Sequence, residues 1–202
     1  FDFMQTASIS GFYVTGISYR RSDAAVRGRF AIGPEHLDEF YKAAADSGIT
    51  ECFILSTCNR TEIFGFAGDP SVFSKLLCRI SKGSEELFYE NGYIKNGMEA
   101  IRHLFSVSAG LDSQILGDYE IVGQLRRAAD IAKEKGFIGI TLGRMVNESI
   151  RAAKKIRTNT GFSSGTVSVS FAAVQFLKET FTNASGKNIL LLGTGKIGRN
   201  TC

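Results

Sequence analysis

Residues 49–66 read ITECFILSTCNRTEIFGF, and this stretch decides how the first half of the chain folds. Its two ends, residues 49–56 and 62–66, are rich in β-branched and aromatic side chains, which predicts two strands. The polar segment TCNRT at 57–61 is short enough to connect neighbouring strands directly. We therefore expect a strand pair with a small polar connection at one end.

Further strands and helices are expected on both sides of this pair. Residues 11–19 predict a strand and residues 20–33 a polar connector. Residues 34–48 start with proline and end with glycine, which favours a helix, and a second helix is expected over 69–81. A last strand is expected over 87–94. The order β-α-β-β-α-β predicts an α+β, ferredoxin-like sheet with helices on one face.

The second half of the chain has helical periodicity. Helices are expected over residues 98–107, 118–135, 141–157 and 167–182. The change of pattern divides residues 1–160 into a sheet part at about 10–96 and a helical part at about 97–160.

A glycine-rich turn follows the run KNILLL at 187–192, and this run predicts a buried strand. Gly193, Gly195 and Gly198 have the GxGxxG spacing that lets backbone amides approach a pyrophosphate. A turn without a ligand is the alternative. The candidate cofactor-binding residues are Gly193, Thr194, Gly195, Lys196, Ile197 and Gly198. We expect residues 161–202 to hold a connecting helix and the start of an incomplete Rossmann domain.

Composition excludes some classes of protein. The chain has 202 residues, of which 22% are charged, and a net charge of +4. No apolar run approaches the roughly 20 residues of a membrane span, so we expect a cytoplasmic protein without a membrane partner. The stretch 144–157 carries five cations and one acid, which fits either a contact with a polyanion or a solvated helix face.

The four cysteines show no CxxC spacing and no closely spaced histidines, so no metal site is expected. Cys58 stands in the polar connection two residues before Arg60, and a nearby cation favours the nucleophilic thiolate. A small apolar filler is the alternative. Cys52 and Cys78 are expected in the core, and Cys202 carries no information.

Several segments together resemble the glutamyl-tRNA reductase family. They are LSTCNRTEIF at 55–64, HLF at 103–105, AGLDSQILG at 109–117, KKIRTNT at 154–160 and SVS at 168–170. Departures occur at Tyr19, where the family usually has histidine, and near Ala25, where it has proline. The family's usual Gly-Glu-x-Gln is replaced by GDYE at 117–120, whereas Gln124 matches.

The resemblance implies NADPH-dependent reduction of glutamyl-tRNA(Glu) to glutamate-1-semialdehyde, the first step of five-carbon tetrapyrrole (porphyrin, haem) synthesis. It makes Cys58 the nucleophile that forms a thioester and His103 a catalytic residue. It also makes Arg60 the residue that binds a carboxylate of the glutamyl group. The implied substrate-binding residues are Thr57, Asn59, Arg60, Ser113, Asp118, Tyr119, Glu120 and Gln124. In this reading residues 1–160 are the catalytic, glutamyl-binding domain and residues 161–202 begin the NADPH domain.

The resemblance also implies partners. They are glutamyl-tRNA(Glu), a glutamate-1-semialdehyde aminomutase that receives the product, and a second copy of the full-length chain. The chain in hand is expected to form the acyl-enzyme without reducing it. Two rival hypotheses stay open: a cysteine-dependent aminoacyl esterase or acyltransferase without hydride transfer, and an inactive reductase-like protein that binds tRNA.

Overall fold

Four strands form one sheet in the computed structural model, which describes residues 9–160, 169–181, 188–193 and 195–201. The strands are β1 (Phe12–Ser18), β2 (Cys52–Ser56), β3 (Arg60–Phe66) and β4 (Tyr93–Asn96). Their order across the sheet is β2-β3-β1-β4, and every neighbouring pair is antiparallel. This is the predicted ferredoxin-like arrangement, which is confirmed.

Two helices in the sheet part differ from the sequence prediction. Helix α1 (Ala24–Phe30) lies inside the expected polar connector, because Asp23 caps it through Val26 N at 2.8 Å and Phe30 is buried. The structure also includes α2 (Leu37–Asp46) and α3 (Ser71–Ile80), both as predicted.

The strand expected over residues 87–94 is wrong for its first part. Residues Glu85–Asn91 form α4, and β4 begins only at Tyr93. Ser84 accepts a hydrogen bond from Leu87 N at 3.2 Å, and two glutamates occupy the first turn. This capped, acidic start stabilises a helix where the apolar pattern alone indicates a strand.

The helical part follows directly, as α5 (Gly97–Ser108), α6 (Glu120–Glu134) and α7 (Ile140–Asn159). Ser108 Oγ donates to Ser149 Oγ at 2.9 Å, which joins α5 to α7 through two buried hydroxyls. β2 lies at the edge of the sheet, and there Cys52 N donates to Phe137 O at 3.0 Å. The chain just after α6 therefore satisfies this backbone group of the edge strand.

Helices cover both faces of the sheet, so the expectation of one covered face is wrong. Arg60, Glu62 and Phe64 share a face of β3 because side chains alternate along a strand. His103 of α5 contacts Glu62 and Phe64, which places α5 on that face. On the other face, Ser56 accepts from Ile32 N at 3.1 Å, just after α1. The helical part therefore forms a second layer of helices, on the face of the sheet that carries Arg60 and Glu62.

Two further helices, α8 (Val169–Thr180) and α9 (Lys196–Thr201), lie towards the end of the chain. The strand expected over 187–192 does not form at residues 188–192, and Leu190 and Leu192 are 83% and 86% exposed. A parallel strand needs a neighbour for its hydrogen bonds, and the described residues offer it none. Within the described ranges, no helix is both long and apolar enough to cross a membrane.

Candidate active site at the end of the sheet

The turn between β2 and β3 presents Cys58. Thr57 N donates to Arg60 O at 2.7 Å, and Thr57 Oγ1 accepts from both Asn59 N and Arg60 N at 3.2 Å. Tyr19 N, just after β1, donates to Asn59 O at 2.9 Å. The turn is thus held by its own threonine and by the end of β1, which fixes the backbone on both sides of the cysteine.

Cys58 is exposed, unlike the other cysteines that the structure describes. Arg27 Nε donates to the Cys58 carbonyl at 3.2 Å, which places a guanidinium beside this turn. Burial raises the pKa of the Cys52 thiol to about 12 and that of the Cys78 thiol to about 11. Cys58 is therefore the described thiol with both access to solvent and a cation nearby.

A buried carboxylate lies behind the turn. Glu62 is fully buried, and its Oε1 accepts from Arg60 Nη1 at 3.1 Å, from His103 Nε2 at 2.7 Å and from the Tyr93 hydroxyl. Gly16 makes room for it, because a Cβ there would lie 2.3 Å from Thr61 O and 2.9 Å from Glu62 Cγ. We call Arg60, Glu62, Tyr93 and His103 the buried centre.

The charge of the buried centre is fixed by Glu62. Burial acts to raise the pKa of its carboxyl, but attraction to Arg60 and His103 outweighs burial, and the pKa falls to about 2. Burial and the Glu62 charge together raise the pKa of Tyr93 well above its ordinary value. Glu62 is therefore ionised and Tyr93 neutral at physiological pH.

The same carboxylate settles the tautomer of His103. An ionised carboxylate only accepts hydrogen bonds, so the Nε2 that faces it carries a proton, and Nδ1 is the nitrogen left to gain or release one. The ring stacks on Phe64 at 6.4 Å between centroids and meets the edge of Tyr93 at 5.7 Å. These contacts fix both the position and the orientation of the imidazole.

Asp112 closes the buried centre towards solvent. Its Oδ2 accepts from Arg60 Nη1 at 3.1 Å, its carbonyl accepts from Arg60 Nη2, and its Oδ1 accepts from Arg20 Nε. The side chain of Arg60 is 1% exposed, whereas that of Arg20 is 55% exposed. The predicted contact between Arg60 and a substrate carboxylate stays a prediction, since in this structure the guanidinium binds internal carboxylates.

A cavity of about 570 Å³ adjoins this centre. Its lining consists of Ser18, Arg20, Arg21, Tyr93, Ile94, Lys95, Glu99, His103 and Asp112. The volume lies within the range of small-molecule sites, and more than half of the lining residues carry ionisable side chains.

The predicted substrate residues of the second signature lie mostly at the start of α6. Ser113, Asp118 and Gln124 are half-buried, and Asp118 Oδ1 accepts from Glu120 N at 3.0 Å. Tyr119 packs under the Arg157 guanidinium, 3.8 Å from the ring centroid. The Tyr119–Arg157 contact ties the start of α6 to the end of α7.

A second cavity, of about 830 Å³, brings three of the predicted substrate residues, Tyr119, Glu120 and Gln124, together with the glycine turn. Its lining is Tyr119, Glu120, Gly123, Gln124, Arg127, Leu191, Leu192, Gly193, Gly195, Gly198 and Thr201. Gly193 has φ +117°, and a Cβ on Gly198 would lie 2.2 Å from Gly193 O, so both positions need glycine. Thr194 lies outside the described residues, as do the side chains of Lys196 and Ile197.

The structure thus divides the predicted residues into two groups. Thr57, Cys58, Asn59, Arg60 and His103 lie at one end of the sheet, although the Cys58 thiol makes no hydrogen bond to His103 among the described residues. Of the remaining predicted residues, Ser113 and Asp118 lie outside the lining of the cavity between α6 and the glycine turn, and those that line it are Tyr119, Glu120, Gln124, Gly193, Gly195 and Gly198.

Sequence reasoning missed Gly16, Glu62, Tyr93 and Asp112. A signal existed for Glu62: a carboxylate two residues after Arg60 within a strand shares a face with that cation. Within the described residues, no cluster of three or more His, Cys, Asp or Glu side chains is arranged to hold a metal ion.

Comparison with known proteins identifies the family. Residues 15–160 match the family model for the glutamyl-tRNAGlu reductase N-terminal domain. The chain is 48% identical over 191 residues to glutamyl-tRNA reductase 2 of Flavobacterium johnsoniae, covering 95% of this chain and 44% of the relative. It is 33% identical over 192 residues to the glutamyl-tRNA reductase of Aquifex aeolicus, covering 92% of this chain and 46% of the relative.

A solved structure agrees. The glutamyl-tRNA reductase of Methanopyrus kandleri superposes with a TM-score of 0.70 at 25% identity, covering 95% of this chain and 45% of that one. The chain spans somewhat less than half the length of the curated relatives named here. From the family model and these relatives we conclude that the chain belongs to the glutamyl-tRNA reductase family, within which residues 15–160 form the N-terminal domain.

Proposed function

We propose that this chain takes the glutamyl group from glutamyl-tRNA(Glu) onto Cys58 as a thioester, within an enzyme that reduces it to glutamate-1-semialdehyde for tetrapyrrole synthesis. The observation that carries the proposal is the exposed Cys58 thiol on a turn whose next strand begins with a buried, carboxylate-bound Arg60. The names of the relatives support the same activity.

The chemistry starts at sulfur. The Cys58 thiolate attacks the ester carbonyl, the new C–S bond forms, and the C–O bond to the terminal ribose of the tRNA breaks. The ribose oxygen leaves with a proton. The resulting thioester has weaker carbonyl resonance than the ester, so it is the better hydride acceptor.

His103 is proposed to exchange the proton of this step through Nδ1, because Nε2 donates to Glu62. Glu62 holds the tautomer and stabilises a positive ring. Among the described residues the histidine forms no hydrogen bond with Cys58, and catalytic hydrogen bonds often form only in the substrate complex.

Recognition of the glutamyl group is proposed for the polar residues near the turn and the start of α6. Short side chains such as Thr57 and Asn59 suit the α-amino and carboxylate groups. The proposed substrate-lining residues are Thr57, Asn59, Arg60, Ser113, Asp118, Tyr119, Glu120 and Gln124.

NADPH, when bound, would supply the hydride. The residues proposed to hold it are Gly193, Thr194, Gly195, Lys196, Ile197 and Gly198. The need for glycine at positions 193 and 198 supports a close backbone approach there. The cavity beside this turn is also lined by Tyr119 and Gln124, so the proposed cofactor and substrate residues are neighbours.

Contact with tRNA is proposed for the exposed side of α7. Arg144, Arg151, Lys154, Lys155 and Arg157 are all exposed there, and such contacts would be non-specific and salt-dependent. We also propose a cytoplasmic location, a homodimer of the full-length chain, and transfer of the product to an aminomutase.

Trapping the acyl-enzyme tests the proposal. The chain would be incubated with tRNA carrying radiolabelled glutamate, quenched with acid, and counted on a denaturing gel. We expect label on the wild type and on Cys78→Ser, a matched control at a half-buried thiol, and none on Cys58→Ser. Equal label on Cys58→Ser would remove the mechanism.

A further inference from the structure

We propose that the backbone N–H of Cys58 and the guanidinium of Arg27 form an oxyanion hole, the pair of donors that stabilises the negative carbonyl oxygen when Cys58 attacks an ester. This inference deepens the proposed function and rests on it, because it takes Cys58 to be the nucleophile. It assigns a catalytic role to Arg27 of α1.

The proposed reaction places a negative charge on the carbonyl oxygen of the ester. As the bond between the Cys58 sulfur and the ester carbon forms, the π pair of the C=O bond moves onto that oxygen. The pair returns to the carbon–oxygen bond when the bond to the ribose oxygen breaks, so this step needs no oxidant or reductant. Donors that already face the oxygen stabilise the transition state more than the substrate, and they are often the largest electrostatic contribution to catalysis.

The turn that carries Cys58 leaves one backbone amide free for this role. Thr57 N donates to Arg60 O at 2.7 Å, and the Thr57 hydroxyl accepts from Asn59 N and from Arg60 N at 3.2 Å. Within the residues that the structure describes, Cys58 N has no hydrogen-bond partner. Serine proteases use the backbone amide of their own nucleophile in the same way, so the free amide of Cys58 is suited to be the first donor.

Arg27 supplies the second donor, because two hydrogen bonds fix the plane of its guanidinium. Nε donates to the Cys58 carbonyl at 3.2 Å, and Nη1 donates to the Ser22 carbonyl at 2.6 Å. In a guanidinium the Nε–H bond and one N–H bond of Nη2 point in parallel from the same edge. Nη2 donates to no residue in the described part of the chain, so its free N–H faces the turn that carries Cys58.

The support of Arg27 is rigid and its charge is not neutralised. Helix α1 is capped by Asp23 at its start and held by buried Phe30 at its end. Arg20 and Arg60 both pair with an internal carboxylate, whereas Arg27 forms no ion pair with the residues described. A fixed cation without a counter-ion stabilises a developing negative charge without any reorganisation during the reaction.

Two reagents that consume the same thiolate test the proposal. Nitrophenyl acetate acylates Cys58 through an oxyanion, whereas iodoacetamide alkylates it at a saturated carbon without one. The ratio of the two rates, each corrected with Cys58→Ser, therefore reports the oxyanion and cancels any change in the amount of thiolate. We expect Arg27→Gln to lower this ratio about 100-fold. Arg29→Gln, at an exposed arginine of the same helix, is the matched control and should keep the wild-type ratio.

A wild-type ratio in Arg27→Gln would overturn the proposal, as would an equal loss in Arg29→Gln. Where Arg27→Gln fails to fold, Arg27→Lys takes its place, because it keeps the positive charge but loses the parallel pair of N–H bonds. We expect it to lower the ratio at least about tenfold, and a wild-type ratio in this variant would also overturn the oxyanion hole.

The nitrophenyl ester needs no tRNA, so the two proposals can fail separately. A ratio that depends on Arg27, together with no glutamyl label on Cys58 after incubation with glutamyl-tRNA, would overturn the proposed function alone. Label on Cys58 with a ratio that does not depend on Arg27 would overturn the oxyanion hole alone.

Discussion

Replacing Glu62 by glutamine would take the negative charge out of the buried centre while keeping the shape of the side chain. The carboxyl pKa is lowered from 4.5 to about 2 in the folded chain. Each unit of difference between the folded and the unfolded pKa corresponds to about 1.4 kcal/mol in the free energy of unfolding. The ionised carboxylate therefore adds about 3 kcal/mol to the free energy of unfolding at pH 7.

The sign follows from the direction of the pKa change. A lowered pKa stabilises the fold above the unfolded value and loses this effect as the pH falls towards the folded value. The contribution of Glu62 should fall from about 3 kcal/mol at pH 7 to about 1 kcal/mol at pH 3. Glu62→Gln cannot be protonated, so the difference between wild type and variant should shrink in the same way.

Urea unfolding followed by far-UV circular dichroism at pH 7, 5 and 3 measures that difference. Glu148→Gln is the matched control, because it removes an exposed carboxylate paired with Arg151, and it should stay within about 0.5 kcal/mol of the wild type. A difference for Glu62→Gln that is the same at pH 7 and pH 3 would refute the assignment of an ionised, buried carboxylate.

Two further outcomes are expected. Gly16→Ala should lower the free energy of unfolding by about 1–3 kcal/mol in urea, because its Cβ would overlap Thr61 O and displace Glu62. Gly28→Ala on α1, where a Cβ meets nothing within 4 Å, should be neutral or slightly stabilising. Iodoacetamide on the native chain in a Cys202→Ser background should modify Cys58 first, and rapid labelling of buried Cys52 would contradict the structure.

The local patterns predicted much of the fold. Strands β1, β2 and β3 and helices α2, α3, α5, α6 and α7 lie close to the predicted positions, because their apolar periodicity agrees with their burial. Helix α4 was missed because its capping by Ser84 competes with an apolar pattern that also suits a strand. Whether a sheet is covered on one face or two depends on contacts between distant segments, which periodicity does not record.

The difference between local patterns and contacts between distant segments also explains which site residues could be predicted. Cys58 and Arg60 stand in one polar segment, so sequence reasoning found both. Glu62 gains its role from Tyr93 and His103, which lie 31 and 41 residues away in the chain. Asp112 is 52 residues from Arg60, and its contact with Arg60 follows only from the packing of α5 against the sheet.

The thioester on Cys58 is the central claim, and peptide mass spectrometry after incubation with glutamyl-tRNA(Glu) tests it most directly. We predict a glutamyl adduct on the peptide that contains Cys58, lost on treatment with hydroxylamine and absent after prior alkylation of this thiol. An adduct on Cys52 or Cys78, or an unmodified Cys58 after the tRNA has been deacylated, would contradict the account.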